Sequence, residues 1–241
     1  MKSGAVRDGN PVSARRHRVK LVIFDLDGTL TDTGRDIADS VNELRRRRGL
    51  KLLPDHAVVA MVGQGVRNLL VHALPPAARR DLDTVIGEFR ATYHRKCLDR
   101  TRLYPGVRKT LETIVAMRPR IRMAVVSNKP RLMSEKILRG LGVRRLMSAV
   151  LGGDDTPQRK PHPRPLLMLM RKLGALGGET LMVGDSRFDM EAGRRAGCRL
   201  CAATYGYGTR RETLRWRPDF VIASFSRLTA VVRGMIRENR P

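Results

Sequence analysis

Six short apolar runs limit what this chain can fold into. They lie at 20–24 (KLVIF), 121–126 (IRMAVV), 148–151 (SAVL), 180–183 (TLMV), 199–203 (RLCAA) and 219–222 (DFVI). Each is close to continuously apolar, the pattern of a strand covered on both faces. Helical patterns separate the later runs, at about 106–118, 130–141, 163–173, 187–196 and 226–237. Pro105-Gly106 marks the start of one such helix, and Gly140 and Gly142 the end of another. Strands alternating with helices predict an α/β fold, a Rossmann-like three-layer core on a parallel sheet.

The first two runs are separated by residues 25–120, too long a span for one crossover. Residues 34–100 carry helical patterning throughout and read as an inserted α-helical cap. The core then comprises 19–33 and 101–241, with 1–18 as a basic N-terminal tail. A chain of 241 residues suits one core domain with a smaller insert.

Composition excludes several classes of function. Hydrophobic residues at 41% build a real core, so this is not a disordered tail. No window approaches ~18 uninterrupted apolar residues, so no membrane span is expected. The first 18 residues lack the apolar centre of a secretory signal, which makes a cytoplasmic location the expectation. Three cysteines argue against a disulfide framework. Cys198 and Cys201 in one strand would stand roughly 10 Å apart, beyond the ~7 Å Cα limit for a bridge, and face opposite ways.

The net charge is +25, from 48 Lys and Arg against 23 Asp and Glu. This charge is spread along the chain, and its densest run, RRRR at 45–48, falls at a helix end where cations suit the dipole. Aromatics at 4% leave little to stack bases on. The charge reads as a solvated, arginine-biased surface that attracts small anionic substrates. Neither nucleic acid nor a membrane is the expected partner, and oligomeric state is not legible.

Ligands of an open α/β sheet bind at the carboxyl ends of its strands. The first strand ends in Asp25-Leu26-Asp27-Gly28, the second in Ser127-Asn128-Lys129, and the fourth in Gly184-Asp185, with Asp189 four residues on. Lys160 follows the third. Crowded aspartates repel unless a cation neutralises them, and hard oxygen ligands select Mg²⁺. Asp25 and Asp185 would each give a carboxylate oxygen, while alternation turns the Asp27 side chain away and leaves its backbone carbonyl as the ligand. Metal, lysine and hydroxyl together suit a dianionic phosphoryl group, which a carboxylate held in line can attack to form an aspartyl-phosphate.

These residues resemble the haloacid dehalogenase superfamily, specifically its phosphatase branch, through DLDGTLTDT, VVSNK, RKPHP around Lys160, and GDSRFDM. The resemblance implies that Asp25 is the nucleophile and that Asp27 protonates the leaving alcohol and later deprotonates the attacking water. It implies that Ser127 and Asn128 bind the phosphoryl group and that Lys160 orients Asp25. Asp185 would complete the Mg²⁺ site, supported by Asp189. A closer resemblance, to bacterial phosphoglycolate phosphatases, extends through VGQGVRNLL, YPGV, GGDDTPQRKPHP and TYGYG. It implies a mobile cap that reads a small substrate, with Gly63 and Gln64 approaching it closely and Arg67 pairing with its carboxylate. His162 stands where relatives more often have Asp, and Phe188 where they carry a small or polar residue.

The activity this implies is Mg²⁺-dependent hydrolysis of 2-phosphoglycolate. The alternatives are a sugar phosphate or amino-sugar-acid phosphate as substrate, or a non-catalytic nucleic-acid-binding or regulatory protein on the same fold. Phosphomutase relatives often carry a His early in the first cap helix, and residues 34–48 contain none.

Overall fold

The computed structural model describes residues 18–237. The basic tail predicted over 1–18 lies, except for Arg18, outside the described residues. Among the described residues eight strands run β1 (Leu21–Phe24), β2 (Thr31–Asp32), β3 (Arg102–Leu103), β4 (Arg122–Val126), β5 (Ala149–Leu151), β6 (Thr180–Gly184), β7 (Arg199–Ala203) and β8 (Phe220–Ile222). Ten α-helices accompany them: α1 (Gly34–Arg47), α2 (Asp55–Val59), α3 (Val66–Ala73), α4 (Leu82–Lys96), α5 (Val107–Ala116), α6 (Arg131–Gly140), α7 (Arg164–Lys172), α8 (Arg187–Arg195), α9 (Arg210–Leu214) and α10 (Leu228–Arg237).

Six strands form one parallel sheet in the order β5-β4-β1-β6-β7-β8. From β1 the chain builds outward through β4 and β5, then returns to the other side for β6, β7 and β8. The direction reverses between β1 and β6, and at such a switch point the flanking loops part to leave a crevice. Phe24 is in register with Val125 on one side and Val183 on the other. The residues that follow these three strands therefore emerge level with one another.

Alternation sends the sheet's side chains into two cores. Val22, Phe24, Val125, Val183 and Cys201 join a larger core with Leu111, Ile137 and Val232 of α5, α6 and α10. Leu21, Ile23, Val126, Met182 and Leu200 join a smaller one with Leu166 and Met190 of α7 and α8. Both faces of the sheet are thus covered, which is why its strands are apolar throughout. Cys198 lies in the smaller core and Cys201 in the larger, and all three cysteines are free thiols. No helix among the described residues is long and apolar enough to cross a membrane.

Helices α1 to α4 occupy the insert, entered through β2 and left through β3, which pair antiparallel. Buried Asp36, in the first turn of α1, fastens the two crossings together. Its carboxylate accepts from Arg100 N at 3.0 Å, from Thr101 N at 2.9 Å and from Thr101 Oγ1 at 2.7 Å. The large core continues into the insert through Val41, Leu70 and Phe89, so the helices pack onto the rim of the sheet.

Candidate active site

The turn after β1 sets the geometry of the site. Leu26 is buried and anchors the turn, and Gly28 closes it at φ 84°. A side chain at Gly28 would meet the Asp185 carboxylate as well as adopting that unfavoured φ. Asp25 and Asp27 consequently leave the strand end in different directions.

Asp25 faces the switch point. Its Oδ1 accepts from Leu26 N at 2.6 Å and pairs with Lys160 Nζ at 2.8 Å. The same ammonium donates to Asp189 Oδ1 at 2.6 Å, and its side chain is only 2% exposed. Asp189 is fully buried, and its Oδ2 accepts from Ser186 N at 3.1 Å and Ser186 Oγ at 2.5 Å. Asp185 accepts from Thr29 Oγ1 at 2.9 Å, Tyr207 N at 2.7 Å and Gly208 N at 3.1 Å. The TYGYG loop after β7 thus wraps the Asp185 carboxylate with main-chain donors.

Asp25, Asp185 and Asp189 place carboxylate oxygens within 4.8 Å of one another, all buried. Burial, reinforced by the Asp189 charge, pushes Asp25 well up and Asp185 up to about 6. Burial pulls Lys160 down, but the Asp189 and Asp25 carboxylates outweigh it and hold the ammonium above its ordinary value. One lysine against three close carboxylates leaves negative charge uncompensated. The all-oxygen donor set fits a hard divalent cation.

Asp27 is not part of that cluster. Its Oδ1 accepts from Thr33 Oγ1 at 2.6 Å and from Lys129 Nζ at 2.7 Å. Lys129 also donates to Tyr93 Oη at 2.7 Å, and so spans from the core to α4. Ser127 and Asn128, both buried, follow β4, aligned by the Ser127 N to Leu151 O hydrogen bond of 3.0 Å. Asn128 Nδ2 donates to Gly63 O at 2.8 Å and Lys160 O at 2.9 Å, tying the cap loop and the Lys160 loop to one amide.

Between sheet rim and insert lies a cavity of about 70 Å³. Asp25, Asp27, Ser127, Asn128 and Lys129 form its floor, and α1, α3 and α4 supply an apolar roof including Ile37, Val66, Leu69 and Phe89. Gly63 lines it, while Gln64 is exposed and accepts from Asn68. Arg67 is also exposed and pairs with Asp83 on α4, away from the cavity. His162 Nδ1 accepts from Arg164 N at 3.1 Å at the start of α7. Phe188 carries the Arg187 guanidinium over its ring at 4.4 Å and faces Gly63 across the gap between core and cap.

Sequence reasoning missed four residues of this constellation: Thr33, Tyr93, Lys129 and Tyr207. Thr33 and Lys129 lie inside the DLDGTLTDT and VVSNK stretches, so proximity to a strand end was their available signal. Tyr207 lies inside the TYGYG stretch, though nothing there relates it to α1, and nothing near Tyr93 relates it to Asp27.

A sheet with this switch point, carrying buried carboxylates at its strand ends, matches one known family of hydrolases. The family model described as haloacid dehalogenase-like hydrolase matches residues 22–203, and the chain belongs to that family. Within it the protein is a phosphatase. It is 35% identical over 221 residues to a phosphoglycolate phosphatase of Haemophilus influenzae, covering 88% of this chain and 98% of that one. A phosphoglycolate phosphatase of Pasteurella multocida is 34% identical over the same shares. The crystal structure of a predicted phosphoglycolate phosphatase from Haemophilus somnus superposes with a TM-score of 0.79 at 32% identity, covering 88% of this chain and 97% of that one.

Proposed function

We propose that the protein hydrolyses 2-phosphoglycolate to glycolate and phosphate, in the cytoplasm, through an aspartyl-phosphate on Asp25. The observation that carries the reading is the cavity itself. Nucleophile, acid/base and phosphoryl-binding groups share its floor, and its roof is apolar apart from Arg90 and Tyr93 of α4. The roof side chains Ile37, Val66, Leu69 and Phe89 offer a leaving group no hydrogen-bond partner. A sugar's hydroxyls would meet an apolar wall there and go unpaired, at ~1–3 kcal/mol each.

Leu26 N and Lys160 both engage Asp25 Oδ1, which leaves Oδ2 to attack phosphorus in line. As that bond forms, the bond from phosphorus to the leaving oxygen breaks and Asp27 protonates the departing glycolate. Thr33 and Lys129 hold Asp27 by Oδ1, which leaves Oδ2 to carry this proton. Asp27 then takes a proton from the water that attacks phosphorus, releasing phosphate and restoring Asp25. Ser127 Oγ and the Asn128 main chain hold the phosphoryl oxygens, and Lys160, positioned by Asp189, offsets their charge. Mg²⁺, held by Asp25, Asp185 and the Asp27 main-chain carbonyl with Asp189 behind them, supplies further charge compensation when bound. Residues 34–100 act as the cap over a core of 19–33 and 101–241.

The test is phosphate release from a panel of monoesters, with Mg²⁺ or with EDTA, beside Asp25→Asn. Preference for 2-phosphoglycolate that disappears with EDTA and in the substituted protein is the expected result. Preference for a sugar phosphate would replace the substrate, and metal-independent turnover that survives Asp25→Asn would refute the mechanism.

A further inference from the structure

A monoester of a small carboxylic acid carries two anionic ends, and the groups described so far account for the phosphoryl end alone. The cationic side chains among the described residues lining the cavity are two, Lys129 and Arg90. Lys129 is buried and already ion-paired to Asp27 at 2.7 Å, its side chain 7% exposed. Arg90 is different. It lines the cavity from α4 yet stays solvent-exposed, and it has no ion pair or hydrogen bond to any described residue. Arg67 of the same insert is by contrast paired with Asp83.

The position of Arg90 is defined by its neighbours on the helix. Phe89 and Tyr93 are buried on the same side of α4, and both line the cavity with it. Tyr93 is held to the core through Lys129, so α4 is tied down one turn beyond Arg90. A guanidinium offers a planar fork of donors that matches a carboxylate and keeps its charge at every working pH. Among the described residues lining the cavity, the carboxylates are those of Asp25 and Asp27, both on the floor and held there by Lys160 and Lys129.

We infer that Arg90 is the specificity-determining residue that reads the carboxylate of the leaving group. The assignment rests on the proposed 2-phosphoglycolate activity and adds to it a residue that selects an acidic ester over a neutral one. The Asp25 end fixes phosphorus on the floor, and Arg90 fixes the far end where the cavity meets solvent. A substrate shorter than the span, or lacking the carboxylate, loses one of these two anchors.

The experiment compares kcat/KM for 2-phosphoglycolate and for ethyl phosphate, which lacks the carboxylate at nearly the same size, in the wild-type, Arg90→Gln and Arg90→Lys proteins. The readout is the ratio of the two values, which general damage to the fold does not move. A charge-assisted hydrogen bond at a half-open site predicts that Arg90→Gln lowers the ratio roughly 10- to 100-fold. Arg90→Lys retains part of it, since an ammonium keeps the charge and loses the fork. An unchanged ratio in Arg90→Gln, with the wild type still preferring 2-phosphoglycolate, would overturn the assignment alone. A wild type that shows no preference between the two esters would refute the substrate reading and the assignment with it.

Discussion

Replacing Lys160 with methionine removes one charge from the centre of the site while nearly conserving length. The ammonium lies 2.8 Å from Asp25 and 2.6 Å from Asp189, with its side chain 2% exposed. Breaking a buried pair by removing one partner costs ~3–5 kcal/mol, because the remaining charge is left without compensation. Here two carboxylates are stranded, with Asp185 close by. At ~2–4 °C per kcal/mol for a chain of this size, the melting temperature in EDTA should fall by about 6–20 °C. Lys20→Met is the control: its pair with Glu179 spans 2.7 Å but the lysine is 57% exposed, so the loss should stay below ~1 kcal/mol. Adding Asp189→Asn to Lys160→Met removes one of the stranded charges and should recover part of the loss. The assay is thermal and urea unfolding of the four proteins, in EDTA and in Mg²⁺, where the deficit should be smaller. A Lys160→Met protein within 1 kcal/mol of wild type in EDTA, or a double variant no more stable than the single one, would refute the argument.

Four other outcomes follow from the geometry. Asp27→Asn should lower kcat/KM on 2-phosphoglycolate by ~10²–10⁴-fold and spare kcat/KM on p-nitrophenyl phosphate, whose leaving group needs no proton, while kcat falls on both because the same carboxylate deprotonates the attacking water; steady-state kinetics on both esters checks this. Burial pushes the Cys198 and Cys201 thiols up to about 12 and raises Cys97 as well, so all three should resist a thiol reagent at pH 8 until the protein is unfolded. A thiol pKa raised on folding stabilises below the ordinary value of 9.0, and that contribution is lost as pH climbs from there through about 12; denaturant titrations at stepped alkaline pH read this decline. Tyr207→Phe strips the acceptor from Thr33 N and Gly34 N, at 2.6 and 2.7 Å, and the donor to Asp32 at 2.8 Å. It should cost ~1–3 kcal/mol by urea unfolding and speed amide exchange at the start of α1.

The sheet was legible because burial on both faces makes a strand apolar along its whole length, and each of the six runs ends within one residue of its strand. The two-residue strands β2 and β3 were not legible, since a pair so short carries no period. Helix α9, at five residues, is also too short to carry one. Placing Asp25, Ser127, Lys160 and Asp185 at one rim needed only chain order and the rule that loops at strand ends converge.

The cap residues are where sequence reading failed to reach. Arg67 and Arg90 both stand on polar helix faces of the insert, and nothing local distinguishes them. Which one borders the cavity depends on how α3 and α4 pack: Asp83 takes Arg67, and Arg90 is left beside the cavity. The sequence by itself determined the parallel α/β core, the inserted helices and the side chains that gather at the sheet's rim, because periodicity and strand-end position are local properties. Tertiary structure alone decided that Lys129 and Thr33 hold Asp27, that Asp189 holds Lys160, and that the TYGYG loop wraps Asp185. Those contacts join residues up to about a hundred positions apart, and they exist only once the chain has paid the entropy of closing the loops between them.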